Sequence, residues 1–181
     1  MHKQLDADTL QKALNGDAFA FEKMVETYSK PIYFIAFRMF NNPEDAKDIC
    51  QEVFMKLYKH KGKKPQPQDF FKFVYRVTIN CCIDEARKRK GKTCANLDDF
   101  AELSANITPE DIAIKNENNV RLKAAIASLP DAYKTVVILR DILGLSYADT
   151  AEVVGYNIGT LKSKLSRARN RLRKLLDNPC V

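Results

Sequence analysis

The chain has 181 residues, with 30 Lys and Arg against 23 Asp and Glu, which gives a formal net charge of +7. Hydrophobic residues make up 45% of the sequence, enough to build buried cores, so a wholly disordered chain is excluded. The longest apolar stretch, residues 31–37, ends at Arg38, and the N-terminus has no apolar signal segment. We therefore expect no membrane insertion and a cytoplasmic location.

The five cysteines do not have the spacing of a disulfide framework or a zinc site. Their number is odd and no two follow CxxC spacing, so reduced thiols in an intracellular protein are expected. A redox role for Cys81 and Cys82 is disfavoured, because neighbours on a helix point about 100° apart. The sequence also has no Gly-rich phosphate loop, nucleophile–base pair or metal-ligand cluster. We expect no enzyme activity, no cofactor, no metal and no small-molecule substrate.

The charge is segregated along the chain. Residues 56–92 carry a net charge of +9 and residues 120–181 a net charge of +6, whereas residues 93–119 carry −5. Solvated helix faces alone explain this segregation less well than they explain the total charge. Two basic blocks separated by an acidic stretch favour two surfaces that face polyanions.

Helical periodicity dominates the sequence, and no run alternates as an exposed strand does. Between the two basic blocks, acids and turn residues are frequent and large apolar residues are few, which is typical of a linker. We predict an all-α protein with two small helical domains, residues 8–92 and 116–181, joined by an acidic linker, residues 93–115. The second domain contains a helix-turn-helix.

A helix start is predicted at residues 42–45, which read NPED. Asn42 is a good N-cap, proline suits the first helical position, and the two acids complement the helix dipole. In the helix that follows, apolar residues recur at three- and four-residue spacing and form a buried stripe. Asp45, Asp48 and Glu52 fall within about 60° of one another on an adjoining face. This acidic stripe either grips a basic partner helix or is a solvated surface.

A basic loop leads into a second helix that begins near Phe70. This helix has two apolar sides, one that includes Phe73 and a roughly opposite one that includes Tyr75. Two apolar sides predict either a helix sandwiched in a bundle or a face that stacks unpaired bases. The helix ends in five cations within residues 87–92, which together with the basic loop favours a nucleic-acid partner.

The C-terminal part has the pattern of a helix-turn-helix. Ser146 and Asp149 have capping-box form, and Gly155 suits the left-handed position that ends a short helix. Asn157 can cap the next helix, which carries seven cations and no acid in residues 157–175. Such a helix is typical of a recognition helix in the major groove, and a bundle surface or a membrane-surface helix is the less favoured alternative. Its predicted buried stripe comprises Ile158, Leu161, Leu165, Ala168, Leu172 and Leu176.

Three stretches carry a resemblance to a known family. Residues 45–54 read DAKDICQEVF, and residues 70–80 read FFKFVYRVTIN, followed by Asp84 and Arg87. Residues 129–169 include the motifs LP, RDILGLSY and GTLKSKLSRAR. In this order and spacing they resemble bacterial RNA polymerase sigma factors of the extracytoplasmic-function (ECF) type, in the sigma-70 family. Phe73 stands where that family usually has Trp.

The resemblance implies a specificity subunit that binds core RNA polymerase, recognises promoter DNA and starts transcription, in a stress or envelope response. It implies docking on the polymerase's largest subunit through Asp45, Asp48, Gln51 and Glu52. It implies that the minus-10 DNA is held by Lys61, Lys63, Lys64, Phe73, Tyr75, Arg76, Asn80, Asp84, Arg87 and Lys88. It implies that the minus-35 DNA is held by Arg140, Thr160, Lys162, Ser163, Lys164, Ser166, Arg167 and Arg169. The flap subunit of the polymerase and an anti-sigma factor are further implied partners.

Two alternatives stay open from the residues. A stand-alone helix-turn-helix regulator would use residues 8–92 as an N-terminal helical sensor domain, and it has no need of the acids at Asp48 and Glu52. A decoy would bind the polymerase without recognising promoters, and it would be indifferent to charge reversal at Lys162 and Arg167. Charge reversal at either pair therefore discriminates between these functions.

Overall fold

The computed structural model of the chain describes residues 5–60, 66–93 and 117–177. Every regular element within these ranges is helical, which confirms the all-α prediction. The helices are α1 (Ala7–Leu14), α2 (Ala18–Phe40), α3 (Pro43–Tyr58), α4 (Phe70–Thr93), α5 (Glu117–Ala127), α6 (Asp131–Val137), α7 (Tyr147–Val154) and α8 (Ile158–Asp177). A short 3₁₀ turn (Pro67–Asp69) precedes α4, and a π-helical turn (Ile138–Ile142) continues α6. Apart from its first residue, the predicted linker lies outside the described residues.

The predicted helix starts and stops are confirmed by the capping geometry. The side chain of Asn42 accepts hydrogen bonds from the backbone N–H groups of the first turn of α3 at 2.9 and 3.3 Å. Ser146 Oγ accepts from the Asp149 N–H at 3.0 Å, and Asn157 Oδ1 caps α8 by accepting from Thr160 N–H at 2.7 Å. Gly155 ends α7 with a φ of 70°, the left-handed conformation that glycine adopts without strain.

The N-terminal domain is a bundle in which α4 is covered on two sides. Phe70 and Val74 are buried on one side of α4, and Tyr75 and Ile79 are buried on the other. Tyr75 is only 2% exposed. The second apolar side of α4 is therefore packed inside the protein, and the sandwiched helix is the alternative that the structure supports. The buried stripe of α3 consists of Ala46, Ile49, Val53 and Leu57.

The helix-turn-helix of the C-terminal domain has a smaller core of its own. Leu161, Leu165 and Ala168 of α8 pack with apolar residues of α6 and α7. The predicted stripe also includes Ile158, but this residue is 46% exposed, so the prediction is wrong at that position. The reason is its place in the helix, since Ile158 opens α8 before the buried series that begins at Leu161.

The two domains pack directly against each other. Leu139, Leu145 and Val153 of the C-terminal domain belong to the same buried cluster as the N-terminal core. The Lys134 ammonium group, on a residue that is 7% exposed, donates a hydrogen bond to the Met39 carbonyl at the end of α2 over 3.2 Å. Helix α4 therefore lies between the α2–α3 layer and α7, and it packs against helices of both domains.

Replacing Ser146 with alanine tests the cap that starts the helix-turn-helix. The substitution removes the oxygen that accepts from the Asp149 N–H, so we expect the protein to lose about 1 kcal/mol of stability. Thermal unfolding followed by circular dichroism then shifts down by about 2–4 °C. Ser163→Ala is the matched control, because Ser163 is exposed inside α8 and only bonds back to carbonyls of its own helix. Equal shifts for both variants would contradict the capping role.

Candidate polymerase and nucleic-acid interfaces

Three of the four residues predicted to dock on the polymerase, all on α3, present their polar groups to solvent. Asp48 and Gln51 are exposed, and Glu52 is partly exposed with its carboxylate 2.8 Å from Lys56 Nζ. This ion pair joins residues four apart on a solvated helix face, so it contributes only a few tenths of a kcal/mol. Asp48, Gln51 and Glu52 therefore present acceptor groups to any partner that approaches α3.

Asp45 differs from the other stripe residues because its carboxylate is already held. Arg89 of α4 donates to both Asp45 oxygens at 2.6 and 2.9 Å, and its Nε donates to Glu85 at 3.1 Å. The guanidinium also lies 4.8 Å from the centre of the Phe40 ring. The hydrogen bonds to Asp45, followed by those to Glu85, raise the pKa of Arg89. Asp45 therefore joins α3 to α4 in this structure.

Part of the predicted minus-10 surface is well defined and part is outside the described residues. Lys61, Lys63 and Lys64 fall in the undescribed range of the loop. At the edge of that loop, the His60 ring lies against the Phe73 ring with 4.8 Å between centroids. Phe73 is half-buried, so one part of its ring stays accessible at the point where the loop meets α4.

Tyr75 does not reach the surface in this structure. Burial raises the pKa of its hydroxyl to about 12, which agrees with a ring enclosed in the core. We therefore leave Tyr75 out of the proposed DNA surface, because a base cannot stack on a ring that the protein already covers. The aromatic residues of the motif predicted a contact with DNA bases. In the structure, the Tyr75 ring instead fills space between α4 and its neighbours.

The described cysteines lie on α3 and α4, and two of the three are buried. Cys81 and Cys82 are buried, and burial raises the pKa of both. Burial likewise raises the pKa of Cys50 to about 11. A thiol with a raised pKa is mostly protonated at neutral pH and therefore a poor nucleophile. The expectation that Cys81 and Cys82 have no redox role stays a prediction, and their burial supports it.

Two cations of α4 are engaged by the first helix of the helix-turn-helix. Lys72 Nζ lies 2.7 Å from the Glu152 carboxylate, 2.6 Å from Asp69 and 3.7 Å from Asp149. Arg76 donates to the backbone carbonyl of Glu152 at 2.8 Å, and its Nη2 is 3.9 Å from the Glu152 carboxylate. The hydrogen bonds to Asp69 and Glu152 raise the pKa of Lys72. The N-terminal domain thus meets α7 through two cations and two acids.

Two further residues predicted to hold the minus-10 DNA face the same junction. Asn80 and Arg87 line a cleft of about 250 Å³ between α4 and the C-terminal helices, together with Asp131 and Tyr156. Asp84 is half-buried with its carboxylate 3.6 Å from Arg87, and Lys88 is exposed with its ammonium group 3.8 Å from Glu85. Arg76, Asn80 and Arg87 therefore lie on the side of α4 that the C-terminal domain approaches.

Helix α8 presents most of the predicted minus-35 residues on one solvated surface. Lys162, Ser163, Ser166, Arg167 and Arg169 are exposed, and Thr160 and Lys164 are half-buried. The buried residues Leu161, Leu165 and Ala168 occupy the opposite side. The same spacing that buries the leucines therefore turns the cations outward, as a helix that contacts phosphates requires.

Tyrosines hold the cations of this surface in place. Arg140 lies over the Tyr147 ring at 4.7 Å from its centroid, and Lys164 lies 5.1 Å from the centroid of Tyr156. Arg171 lies 5.4 Å from the centroid of Tyr133. Each cation–π contact contributes about 0.5–1 kcal/mol at an exposed site. The rings limit the motion of long side chains without neutralising their charge.

Arg169 is the exception, because a carboxylate neutralises it. Its guanidinium donates to both oxygens of Asp141 at 2.6 and 3.0 Å. The hydrogen bond to Asp141 raises the pKa of Arg169. Arg169 is positioned by this pair, and any further anion has to share its guanidinium with Asp141.

Sequence reasoning missed three groups that shape these surfaces: Lys72 with Glu152, Asp141, and the tyrosines under the cations. Lys72 and Glu152 are 80 residues apart, and nothing local marks them as partners. The tyrosines left a weak signal: Tyr133 and Tyr147 lie in the helices α6 and α7 that pack on α8, and Tyr156 lies in the turn directly before α8. Within the described residues, no cluster of His, Cys, Asp and Glu is suited to a metal ion, and no helix is long and apolar enough to cross a bilayer.

Both domains match models of one protein family. The model described as Sigma-70 region 2 matches residues 24–92, and the model described as Sigma-70, region 4 matches residues 119–172. The ECF RNA polymerase sigma factor SigW of Bacillus subtilis is 31% identical, over 92% of this chain and 94% of SigW. The RNA polymerase sigma-H factor of Pseudomonas aeruginosa is 29% identical, over 96% of this chain and 95% of that protein.

Solved structures with the same fold include a sigma factor bound to an anti-sigma factor. The sigma factor RpoE from Bartonella quintana, in complex with the anti-sigma factor NepR, has a TM-score of 0.68 and 25% identity, over 88% of this chain and 98% of RpoE. CnrH, in complex with the cytosolic domain of CnrY, shares the fold with a TM-score of 0.66 and 20% identity, over 96% of this chain and 97% of CnrH. With both sigma-70 regions in order and a curated relative matched over nearly its full length, this chain belongs to the sigma-70 family as an ECF-type RNA polymerase sigma factor.

Proposed function

We propose that the chain binds core RNA polymerase through α3, holds minus-10 DNA through α4 and the loop before it, and holds minus-35 DNA through α8. This role consists of binding and needs no catalytic residue. The observation that carries it is the presence, in one chain, of an exposed acceptor surface on α3 and an exposed cationic surface on α8. A stand-alone regulator requires only the second surface.

For the polymerase contact we assign Asp48, Gln51 and Glu52 as the docking residues on the largest subunit. Their acceptor groups face solvent, and their only described ion pair is the exposed one between Glu52 and Lys56. Asp45 has a supporting part, since its pair with Arg89 fixes α3 against α4. A basic helix of the partner fits this surface by charge complementarity.

For the promoter contacts we assign Phe73, Arg76, Asn80, Asp84, Arg87 and Lys88 on α4 to the minus-10 DNA, with Lys61, Lys63 and Lys64 in the preceding loop. We assign Arg140, Thr160, Lys162, Ser163, Lys164, Ser166, Arg167 and Arg169 to the minus-35 DNA. The early residues of α8 are suited to base edges and the later cations to phosphates. Contacts of the C-terminal domain with the flap subunit belong to the same proposal.

The proposed setting is the bacterial cytoplasm, where transcription takes place, and a stress or envelope response under the control of an anti-sigma factor. The relatives of solved structure support this partner, since RpoE and CnrH were both solved with a protein that binds them. The whole-length similarity to sigma factors also favours this function over a regulator with an N-terminal sensor domain.

Charge reversal on α3 tests the polymerase contact. We expect Asp48→Lys/Glu52→Lys to abolish co-migration with bacterial core RNA polymerase, because it places two cations where the partner surface is basic. Duplex DNA binding by the free chain should stay unchanged. Size-exclusion chromatography and fluorescence anisotropy provide the two measurements.

The matched control is Glu22→Lys/Glu26→Lys, which reverses two exposed acids with the same four-residue spacing on α2. Binding of the control variant should resemble that of the wild type. Loss of binding in both variants to the same extent would indicate a general charge effect, and a wild-type chain that ignores core polymerase would overturn the proposal.

Charge reversal on α8 tests the DNA contact. We expect Lys162→Glu/Arg167→Glu to weaken binding to duplex DNA and to reduce the slope of log K against log salt by about 0.9 for each phosphate that the variant no longer neutralises. Core-polymerase binding should persist. Anisotropy with a labelled duplex of about 40 base pairs over about 50–200 mM salt measures the slope.

Lys23→Glu/Lys30→Glu, on exposed positions of α2, changes the net charge by the same amount and is the control. If the control reduces the slope as much as the α8 variant does, the contact is a diffuse effect of net charge and α8 has no special part. A decoy function would leave the slope unchanged in the α8 variant.

A further inference from the structure

Lys72 and Arg76 form a two-cation site with an anion already in it. They lie four residues apart on one face of α4, a spacing at which helix side chains are neighbours. The anion is the Glu152 carboxylate, which is 2.7 Å from Lys72 Nζ and 3.9 Å from Arg76 Nη2. Asp149, one helical turn earlier on α7, adds a second carboxylate 3.7 Å from Lys72 Nζ.

The environment of Lys72 favours an anion strongly. Its side chain is 14% exposed, so water screens its interactions less than those of an open surface lysine. Asp69, immediately before α4, holds the ammonium group at 2.6 Å and thereby fixes its direction. The Glu152 side chain, in contrast, is 49% exposed and can leave into solvent. One carboxylate partner of Lys72, Asp69, therefore lies next to it in the sequence, and the other, Glu152, comes from the C-terminal domain.

A phosphodiester group can form the same kind of interaction with Lys72 and Arg76 as the Glu152 carboxylate does. Both are anions that accept charge-assisted hydrogen bonds from Lys and Arg. We propose that Lys72 and Arg76 form a phosphodiester-binding site for single-stranded DNA, and that Glu152, with Asp149, occupies this site in the free chain. Helix α7 and the DNA strand then compete for one pair of cations. This inference rests on the proposed function, which assigns α4 to the minus-10 DNA.

The two-cation site lies at one end of a longer polar surface on α4, next to the apolar contact between the two domains. Asn80 and Arg87 lie farther along the same side of α4 and line the cleft against the C-terminal domain. Both side chains are exposed, so a strand held at Lys72 and Arg76 can continue along α4 to these two residues. Val153 of α7 and Ile79 of α4 are buried at this junction, so apolar contacts resist opening as well as the ion pairs. Loss of Glu152 alone should weaken the closed arrangement without abolishing it.

The first test measures affinity. We expect Glu152→Gln in the full-length chain to bind a labelled single-stranded oligonucleotide about 5-fold more tightly than the wild type at low salt, because the substitution removes the competing anion. Glu44→Gln is the matched control, because Glu44 is an exposed acid in an ion pair of the same 2.7 Å length with Lys47. Lys72→Gln/Glu152→Gln should return to wild-type affinity or below. Equal gains for Glu152→Gln and Glu44→Gln, or a gain that survives the double substitution, would overturn the inference.

The second test detects the contact itself. A zero-length carbodiimide joins a lysine to a carboxylate in direct contact, and mass spectrometry should find Lys72 linked to Glu152 in the free chain. Saturating oligonucleotide should lower the yield of that link and leave the Lys47–Glu44 link unchanged. A Lys72–Glu152 yield that does not respond to bound oligonucleotide, or that is absent from the free chain, would contradict the competition.

The two proposals fail differently. If wild-type protein does not bind core polymerase, the proposed function falls. If it binds core polymerase and the resulting holoenzyme binds promoter DNA, but Glu152→Gln gains nothing over Glu44→Gln, only the competition at Lys72 and Arg76 falls.

Discussion

Helix α4 must be covered on two opposite sides, and the arrangement of the described helices depends on meeting that requirement. Phe70 and Val74 pack on one side, Tyr75 and Ile79 on the other, and each is nearly or fully buried. Burial of a large apolar side chain contributes about 1.5–3 kcal/mol, so leaving either side in water would cost more than a marginally stable protein tolerates. Helices α2 and α3 cover one part of this surface, and α7 covers another.

Electrostatic pairing decides which cations are available to a polyanion. Arg89, Arg169 and Lys72 each have a carboxylate within 2.7 Å, and these ion pairs link one helix to another. Lys164 and Arg171 instead rest on aromatic rings, which keep the charge in place without neutralising it. A count of basic residues therefore overstates the free positive charge of the first domain, while that of α8 is largely preserved.

Features that depend on neighbouring residues could be predicted from the sequence. The caps at Asn42, Ser146 and Asn157 and the left-handed Gly155 are set within four residues, and all of them are present. The exposed acceptors on α3 and the outward cations of α8 follow from helical spacing in the same way.

Features that depend on residues far apart in the sequence could not be predicted. Helical spacing places Asp45 on the acidic stripe but cannot show its partner Arg89, which lies 44 residues away. The motif around Tyr75 suggests a DNA contact, whereas the helices that cover this ring come from elsewhere in the bundle. The direct packing of the two domains left no sequence signal, since an apolar side that binds a partner and one that binds another domain have the same pattern.

The hydrogen bond between Lys134 and Met39 makes the end of one domain's helix dependent on the other domain. The last carbonyls of a helix have no partner within it, and that of Met39 receives its proton donor from a lysine 95 residues away. The chain then turns through Asn41, at a φ of 53°, directly into the cap of α3. When the domains part, water has to replace that donor just before the turn. The stability of the α2–α3 corner and the association of the domains are thus thermodynamically linked, so separation of the domains should lower the stability of that corner.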